Sequence, residues 1–220
     1  MIDLSKIKKR STADIAKRIV QDIPDGACVN LGIGQPMTIS NYLPEDREIL
    51  LHSENGLLGM GPLATGDEID EELVNAGKQP VTMLPGASIC HHADSFVMIR
   101  GGHLDICVLG AFQVSVRGDI ANWRTGDPMA IPAVGGAMDL ALGAKKLFVM
   151  MEHLTKSGQS KLVQECSYPL TALASVDCIY TDLATIEVTP SGLRAVDWVN
   201  ELSFEDLQEI SGVPLMNARQ

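Results

Sequence analysis

The segment Asp105-Ile106-Cys107-Val108-Leu109 is an almost unbroken apolar run, which is typical of a strand buried on both faces of a sheet. The segment Leu147-Phe148-Val149-Met150-Met151 has the same character. A helical pattern at 137–142 lies between the two. Further strand-like runs occur at 27–31, 48–52 and 81–84. Strands that alternate with helices predict a layered α/β fold.

The sequence predicts one further helix near each end of the chain. Ser11-Thr12-Ala13-Asp14 is a variant of the capping box and predicts a helix directly after it. Near the other end, the runs 186–189 and 193–199 flank a tight turn and predict a β-hairpin, which a helix over 203–210 follows. The chain contains no internal repeat, low-complexity tract or linker, so we expect one domain over residues 1–220.

Composition and charge exclude several classes of protein. The chain has 220 residues, a formal net charge of -11 and a pI of about 4.8. Nucleic acid is therefore not an expected partner, because its phosphates attract a basic surface. All apolar runs are shorter than the roughly 20 residues of a membrane-spanning helix, so no membrane association is expected. Five widely spaced cysteines without a CxxC pair, and no signal peptide, predict a cytoplasmic protein with reduced thiols.

The strongest candidate for chemistry is Glu54, in the stretch LHSENGLLGMGP at 51–62. A hydrophobic strand ends there in a carboxylate, and a glycine-rich turn follows. The carboxyl ends of parallel strands are where α/β folds bind ligands, and glycines allow a substrate to approach the backbone closely. An exposed loop acid or a helix cap would give the same pattern, so the pattern alone leaves both interpretations open.

Two glycine motifs are weaker candidates. Gly32-Ile33-Gly34 follows a strand and precedes a predicted helix at 37–43, where free N–H groups favour an anion. A plain tight turn explains the motif equally well, and the third glycine of a dinucleotide-binding fingerprint is missing. Gly135-Gly136 also precedes a predicted helix. The pair indicates either close packing of the backbone or an oxyanion site, and both interpretations stay open.

The pair His91-His92 suggests a metal site at first sight. We place the pair in an extended segment, where adjacent side chains point to opposite faces, and no Cys or Glu lies at a ligand spacing. No metal site is therefore expected, and contact with an anionic substrate is the preferred role for these histidines.

Taken together, seven blocks of sequence resemble the β subunit, or C-terminal half, of the class I 3-oxoacid CoA-transferases. The resemblance extends over about 12–215. The blocks are VNLGIG at 29–34, HSENGLLGMGP at 52–62, NAGK at 75–78, DSFVMIRGGHLD at 94–105, LGAFQVSVRGDIANW at 109–123, GGAMDL at 135–140 and PLT at 169–171. HHADSF at 91–96 and VMMEHLTKSGQSKLV at 149–163 are most similar to the branch that acts on 3-oxoadipate. Residues 124–134 depart from many relatives and are a candidate for acceptor choice.

The resemblance implies an open, largely parallel α/β sheet with flanking helices, a fold related to that of sugar-phosphate isomerases. By motif, Glu54 matches the nucleophile, Gly136 matches an N–H donor of the oxyanion site, and Lys78 matches a lysine that contacts CoA. Further candidates for contact with CoA or substrate are Gly32, Gly34 and Asn55. No permanently bound cofactor is implied, because coenzyme A is itself substrate and covalent intermediate. The implied partner is an α subunit, in an α2β2 heterotetramer.

The implied activity is transfer of CoA from succinyl-CoA to a 3-oxo acid, here 3-oxoadipate, by ping-pong kinetics through a glutamyl-CoA thioester. Acetoacetate, acetate or butyrate as the acceptor is the main alternative. A non-catalytic ligand-sensing domain is a remote alternative, since such regulators need a DNA-reading element and residues 1–25 supply only one helix. A third alternative is that this chain is a scaffold subunit and that its partner holds the nucleophile. The presence of Glu54 within SENG argues against this alternative.

Overall fold

The computed structural model describes residues 4–127, 129 and 131–219. The strands in this part of the chain are β1 Cys28–Leu31, β2 Leu50–Ser53, β3 Leu57–Leu63, β4 Val81–Ile89, β5 Ile106–Leu109, β6 Gln113–Ser115, β7 Ile120–Ala121, β8 Lys146–Met151, β9 Leu162–Val163, β10 Val176–Thr181, β11 Ala184–Thr189, β12 Gly192–Trp198 and β13 Leu215–Asn217. The α-helices are α1 Thr12–Asp22, α2 His92–Arg100, α3 Ala137–Gly143 and α4 Phe204–Ser211. Short 3₁₀ segments lie at Leu4–Lys6, Gln35–Tyr42 and Gly66–Glu68.

A ten-stranded open sheet has the order β13-β12-β11-β10-β8-β5-β1-β2-β3-β4. Its central strands, from β10 through β8, β5 and β1 to β2, are parallel to one another. Antiparallel pairs follow on both sides, formed by β2, β3 and β4 on one and by β10, β11 and β12 on the other. The predicted α/β fold with a largely parallel sheet is confirmed, and so is the hairpin of β11 and β12.

Strand β5 shows why the centre of the sheet is apolar on both faces. Cys107 and Leu109 pack into one core together with the inner faces of α2, α3 and α4. Ile106 and Val108 alternate with them and pack into a second core, on the face that α1 covers. Successive side chains of a strand point to opposite faces, so a strand with helices on both sides must be apolar throughout.

The capping box predicted for the first helix is present. The Ser11 hydroxyl accepts a hydrogen bond from the Asp14 N–H at 3.2 Å, and the Asp14 carboxylate accepts from the Ser11 N–H at 3.0 Å. Ser203 and Asp206 form the same arrangement at the start of α4. Each box satisfies N–H groups that a helix start leaves without a partner.

Three expectations were wrong in detail. The glycine-rich stretch after Glu54 contains strand β3, which pairs with β4, rather than only a turn; a β-carbon at Gly59 would lie 2.9 Å from the Ala87 side chain of β4, and one at Gly61 would collide with the Thr82 side chain. His91 caps α2, with its Nδ1 accepting from the Ala93 N–H at 3.1 Å, so the histidine pair does not lie in an extended segment. The helix expected at 37–43 is the 3₁₀ segment Gln35–Tyr42.

A small second sheet of β7, β6 and β9 was not expected. The single domain over 1–220 stays a prediction, and residues 1–3 and 220 lie outside the described part of the chain. In the described part, every helix is too short or too polar to cross a bilayer.

Candidate active site

A pocket of about 390 Å³ opens at the carboxyl ends of the central parallel strands. Gly32, Gly110 and Glu152 directly follow β1, β5 and β8, and all three line the pocket. Glu54 directly follows β2 and lines it as well. The structure therefore places Glu54 at the edge of the sheet where α/β folds bind ligands.

The Glu54 carboxylate packs against the backbone of Gly136, at the start of α3. A β-carbon added at Gly136 would collide with Oε2 of Glu54 and would lie 2.9 Å from Cζ of Phe96. The φ angle of Gly136 is -86°, which any residue can adopt, so the need for glycine comes from this close approach alone. Any residue other than glycine at position 136 would therefore block the contact between the Glu54 carboxylate and the backbone.

The Glu54 carboxylate has no hydrogen bond or ion pair to any described residue. Burial raises the pKa of its carboxyl group, the nearby His92 lowers it, and the negative charge of Asp139 raises it again. The net effect is a pKa above the ordinary value, because desolvation disfavours the charged form. An ionised Glu54 is therefore only partly solvated and forms no hydrogen bond or ion pair with a described residue, and both properties favour its reaction with an electrophile.

A buried polar network surrounds His52, two residues before Glu54 in the chain. His52 is buried, and its Nδ1 accepts a hydrogen bond from the Asn30 side-chain amide at 3.1 Å. Its Nε2 donates to the Ser95 hydroxyl on α2 at 2.9 Å. Burial lowers the pKa of His52 to about 4, so the ring is neutral at pH 7. The network links β1, the end of β2 and α2, which also holds Phe96 against Gly136.

A family model described as Coenzyme A transferase matches residues 12–199. The chain belongs to the coenzyme A transferase family. This family member is 62% identical over 209 residues to a 3-oxoadipate CoA-transferase subunit from Pseudomonas putida, and the match covers 95% of this chain and 98% of the relative. It is 58% identical over 212 residues to the corresponding 3-oxoadipate CoA-transferase subunit from Acinetobacter baylyi, with coverage of 96% and 98%. The resemblance inferred from the motifs is confirmed.

A solved structure shows the same fold. The acyl-CoA transferase apoenzyme from Escherichia coli O157:H7 superposes with a TM-score of 0.75 at 17% identity. The match covers 95% of this coenzyme A transferase chain and 42% of the longer one, so this chain spans less than half of that protein.

The site residues predicted for this coenzyme A transferase fall into two groups. Glu54, Gly136 and Gly32 line one pocket. Gly34 precedes the Gln35–Tyr42 segment at a φ of 98° and lies outside the pocket lining. Asn55 is exposed and also lies outside it.

The segment NAGK adjoins the pocket from the side. The Asn55 amide donates to the Val74 carbonyl at 2.7 Å, and the Ala76 N–H donates to the Ser53 hydroxyl at 2.9 Å. Ala76 lines the pocket, whereas Lys78 lies outside the lining at a φ of 62°. Contacts of Gly34, Asn55 and Lys78 with CoA stay predictions.

Five of the described polar lining residues had no role in the sequence-based prediction. They are Asn30, Gln35, Asn122, Glu152 and Lys161. Glu152 and Lys161 belong to the block at 149–163 that resembles one branch of the family, yet no local pattern assigned them to the site. In the described part of the chain, no three His, Cys, Asp or Glu side chains form a group able to hold a metal ion.

Proposed function

We propose that this chain transfers CoA between two carboxylic acids through a covalent thioester on Glu54. The observation that best supports this function is an unpaired, poorly solvated carboxylate that faces a pocket and touches the backbone of Gly136. A carboxylate held in an ion pair would have to break the pair before it could attack a thioester.

Covalent catalysis divides the transfer into two easier halves. An oxygen of Glu54 attacks the thioester carbon, the C–S bond breaks, CoA leaves as a thiolate, and an acyl-glutamyl anhydride remains. The thiolate then attacks the glutamyl carbonyl carbon, releases the first acid as a carboxylate and leaves CoA bound to Glu54. The acceptor acid reverses these steps and departs as its CoA thioester.

Each addition creates a tetrahedral oxyanion, which a fixed N–H donor stabilises. Gly136 supplies a suitable group, because its N–H makes no hydrogen bond to any described residue and its backbone touches the carboxyl group that becomes the thioester. The buried hydrogen bonds of His52 fix the end of β2 relative to α2, so the Glu54 carboxylate and the Gly136 N–H stay aligned.

The substrates we propose are succinyl-CoA as donor and 3-oxoadipate as acceptor. The 62% identity to a 3-oxoadipate CoA-transferase subunit over almost the whole chain supports this acceptor. Coenzyme A is then substrate and covalent intermediate rather than a resident cofactor. The five cysteines are unpaired, which agrees with the cytoplasmic location that we also propose.

We further propose an α subunit as partner, in an α2β2 assembly. The relatives are each named as one subunit of an enzyme, which supports the presence of a second subunit. Three apolar side chains that line the pocket, those of Ile33, Phe112 and Val134, are exposed to solvent. Apolar groups clustered at the rim of a functional pocket are typical of a surface that another protein covers.

The test is a transfer assay on the chain alone and after co-purification with its α subunit. We expect the complex to convert succinyl-CoA and 3-oxoadipate into 3-oxoadipyl-CoA and succinate, with lower kcat/KM for acetoacetate and acetate. The chain alone is expected to be inactive. Absence of transfer to any acid by the complex would refute the proposed reaction, and turnover by the single chain would refute the need for a partner.

A further inference from the structure

We propose that Lys161 binds the distal carboxylate of a dicarboxylic substrate, so that the pocket selects acids with a carboxylate at each end. This inference rests on the proposed function, because it assumes that the reacting carboxylate of the acid lies at Glu54. It adds a specificity-determining residue and a substrate class to the proposed reaction.

The charges that line the pocket are the first evidence. Among the described lining residues, the charged side chains are Glu54, Glu152 and Lys161, so Lys161 is the one cation. Two carboxyl groups alone would repel an acid that carries a second negative charge. A cation in the same pocket offsets this repulsion and gives the distal carboxylate a partner.

Lys161 is also held in a fixed place. Its N–H donates to the His153 carbonyl at 3.0 Å, and its carbonyl accepts from the Val114 N–H at 3.0 Å. Its backbone is therefore fixed between β6 and the segment that follows β8. The side chain is partly buried, and its ammonium group makes no hydrogen bond or ion pair to any described residue.

Glu152 and Asp182 are the acids whose charges act on Lys161, and neither forms a hydrogen bond or ion pair with its ammonium group. The Asp182 carboxylate lies 2.9 Å from Nζ of Lys9 and accepts the His153 N–H at 2.6 Å. Burial raises the pKa of Glu152, and the charge of Asp182 raises it further, so Glu152 is shifted toward its neutral form. Burial lowers the pKa of Lys161 although the charges of Glu152 and Asp182 raise it, so its ammonium group is partly desolvated and an incoming anion would stabilise the charge.

One cation of this kind serves both half-reactions. The succinyl and 3-oxoadipyl groups differ in length but share a carboxylate at the end remote from the thioester. The four-carbon stem of a lysine is flexible enough to follow that carboxylate over such a difference. We therefore expect Lys161 to bind donor and acceptor in turn.

The test compares 3-oxoadipate with 3-oxohexanoate, which has the same six-carbon chain and 3-oxo group but a methyl group in place of the distal carboxylate. The co-purified complex is assayed with succinyl-CoA as donor. In ping-pong kinetics, kcat/KM for the acceptor reports only the second half-reaction, so effects on the donor do not obscure it. We expect Lys161→Met to lower kcat/KM for 3-oxoadipate about 10- to 100-fold, the size of one charge-assisted hydrogen bond.

The same variant should leave kcat/KM for 3-oxohexanoate within about threefold, since that acid has no distal charge to lose. Lys161→Arg should retain the preference for 3-oxoadipate. Lys156→Met is the matched control, because it removes the same charge from an exposed position outside the pocket and should change neither value. Lys161→Gln replaces the methionine variant if the latter does not fold.

Equal losses for the two acids would overturn the inference, because they would mean that Lys161 only supports the local structure. Unchanged kinetics for both acids would overturn it as well. A wild-type complex without transfer to either acid would instead refute the proposed function, so the two failures are distinguishable.

Discussion

Replacement of Glu54 by alanine is expected to lower kcat of the co-purified complex by about four orders of magnitude or more, because no nucleophile remains to form the thioester. The free energy of unfolding should stay unchanged or rise slightly. The carboxylate has no hydrogen bond or ion pair to a described residue, and its burial is unfavourable in the charged form. Steady-state kinetics and urea denaturation measure the two effects.

Two further variants separate the chemistry from the shape of the site. Glu54→Gln keeps the size of the side chain but removes the nucleophilic oxygen anion, so it should be as inactive as the alanine variant. Glu152→Gln alters the other carboxyl group of the pocket and should retain measurable transfer. Activity of the Glu54→Ala complex within tenfold of wild type would contradict the proposed role.

Replacement of Gly136 by alanine is expected to lower kcat by about 10²- to 10³-fold, as the loss of one oxyanion donor does. The added methyl group would collide with Oε2 of Glu54 and crowd Cζ of Phe96, so the carboxylate must leave its position against the backbone. Gly126→Ala is the control, since a β-carbon there would meet only Cε1 of Tyr168, at 3.6 Å. Kinetics of both variants, with thermal unfolding for comparison, test this prediction.

A double variant shows whether the loss of kcat in Gly136→Ala comes from the collision with Glu54 or from the crowding of Phe96. Gly136→Ala combined with Phe96→Leu relieves the crowding at the ring but not the collision with Glu54. We expect the double variant to remain as slow as the single one. Recovery of kcat to the wild-type value would assign the effect to packing of Phe96 and would contradict the proposed alignment of carboxylate and donor.

The parts of the fold that were predicted correctly depend on local patterns. The runs at 105–109 and 147–151 are apolar on both faces because helices cover both sides of β5 and β8, and that property is visible in each segment by itself. Strand β3 was missed because its glycines and Pro62 are unfavourable in an ordinary strand. Gly59 and Gly61 fit there because a β-carbon at either position would crowd Ala87 or Thr82 of β4, and that contact is a property of the strand pair.

In the candidate site too, features visible in one segment were predicted, and features that depend on distant segments were not. Glu54 was found because a carboxylate at the end of an apolar strand is a local signal. The contact of Glu54 with Gly136 was implied only through the family resemblance, since no spacing rule joins β2 to the start of α3. The roles inferred for His52 and Lys161 depend on partners far away in the chain, and neither residue stands out in its own segment.

The covalent intermediate can be observed directly. The co-purified complex is incubated with succinyl-CoA without acceptor, treated with borohydride, digested and analysed by mass spectrometry. A glutamyl thioester at Glu54 predicts a peptide in which this side chain alone has been reduced to the alcohol, and no such product without succinyl-CoA. An unmodified Glu54 in a complex that is active in transfer would contradict the account.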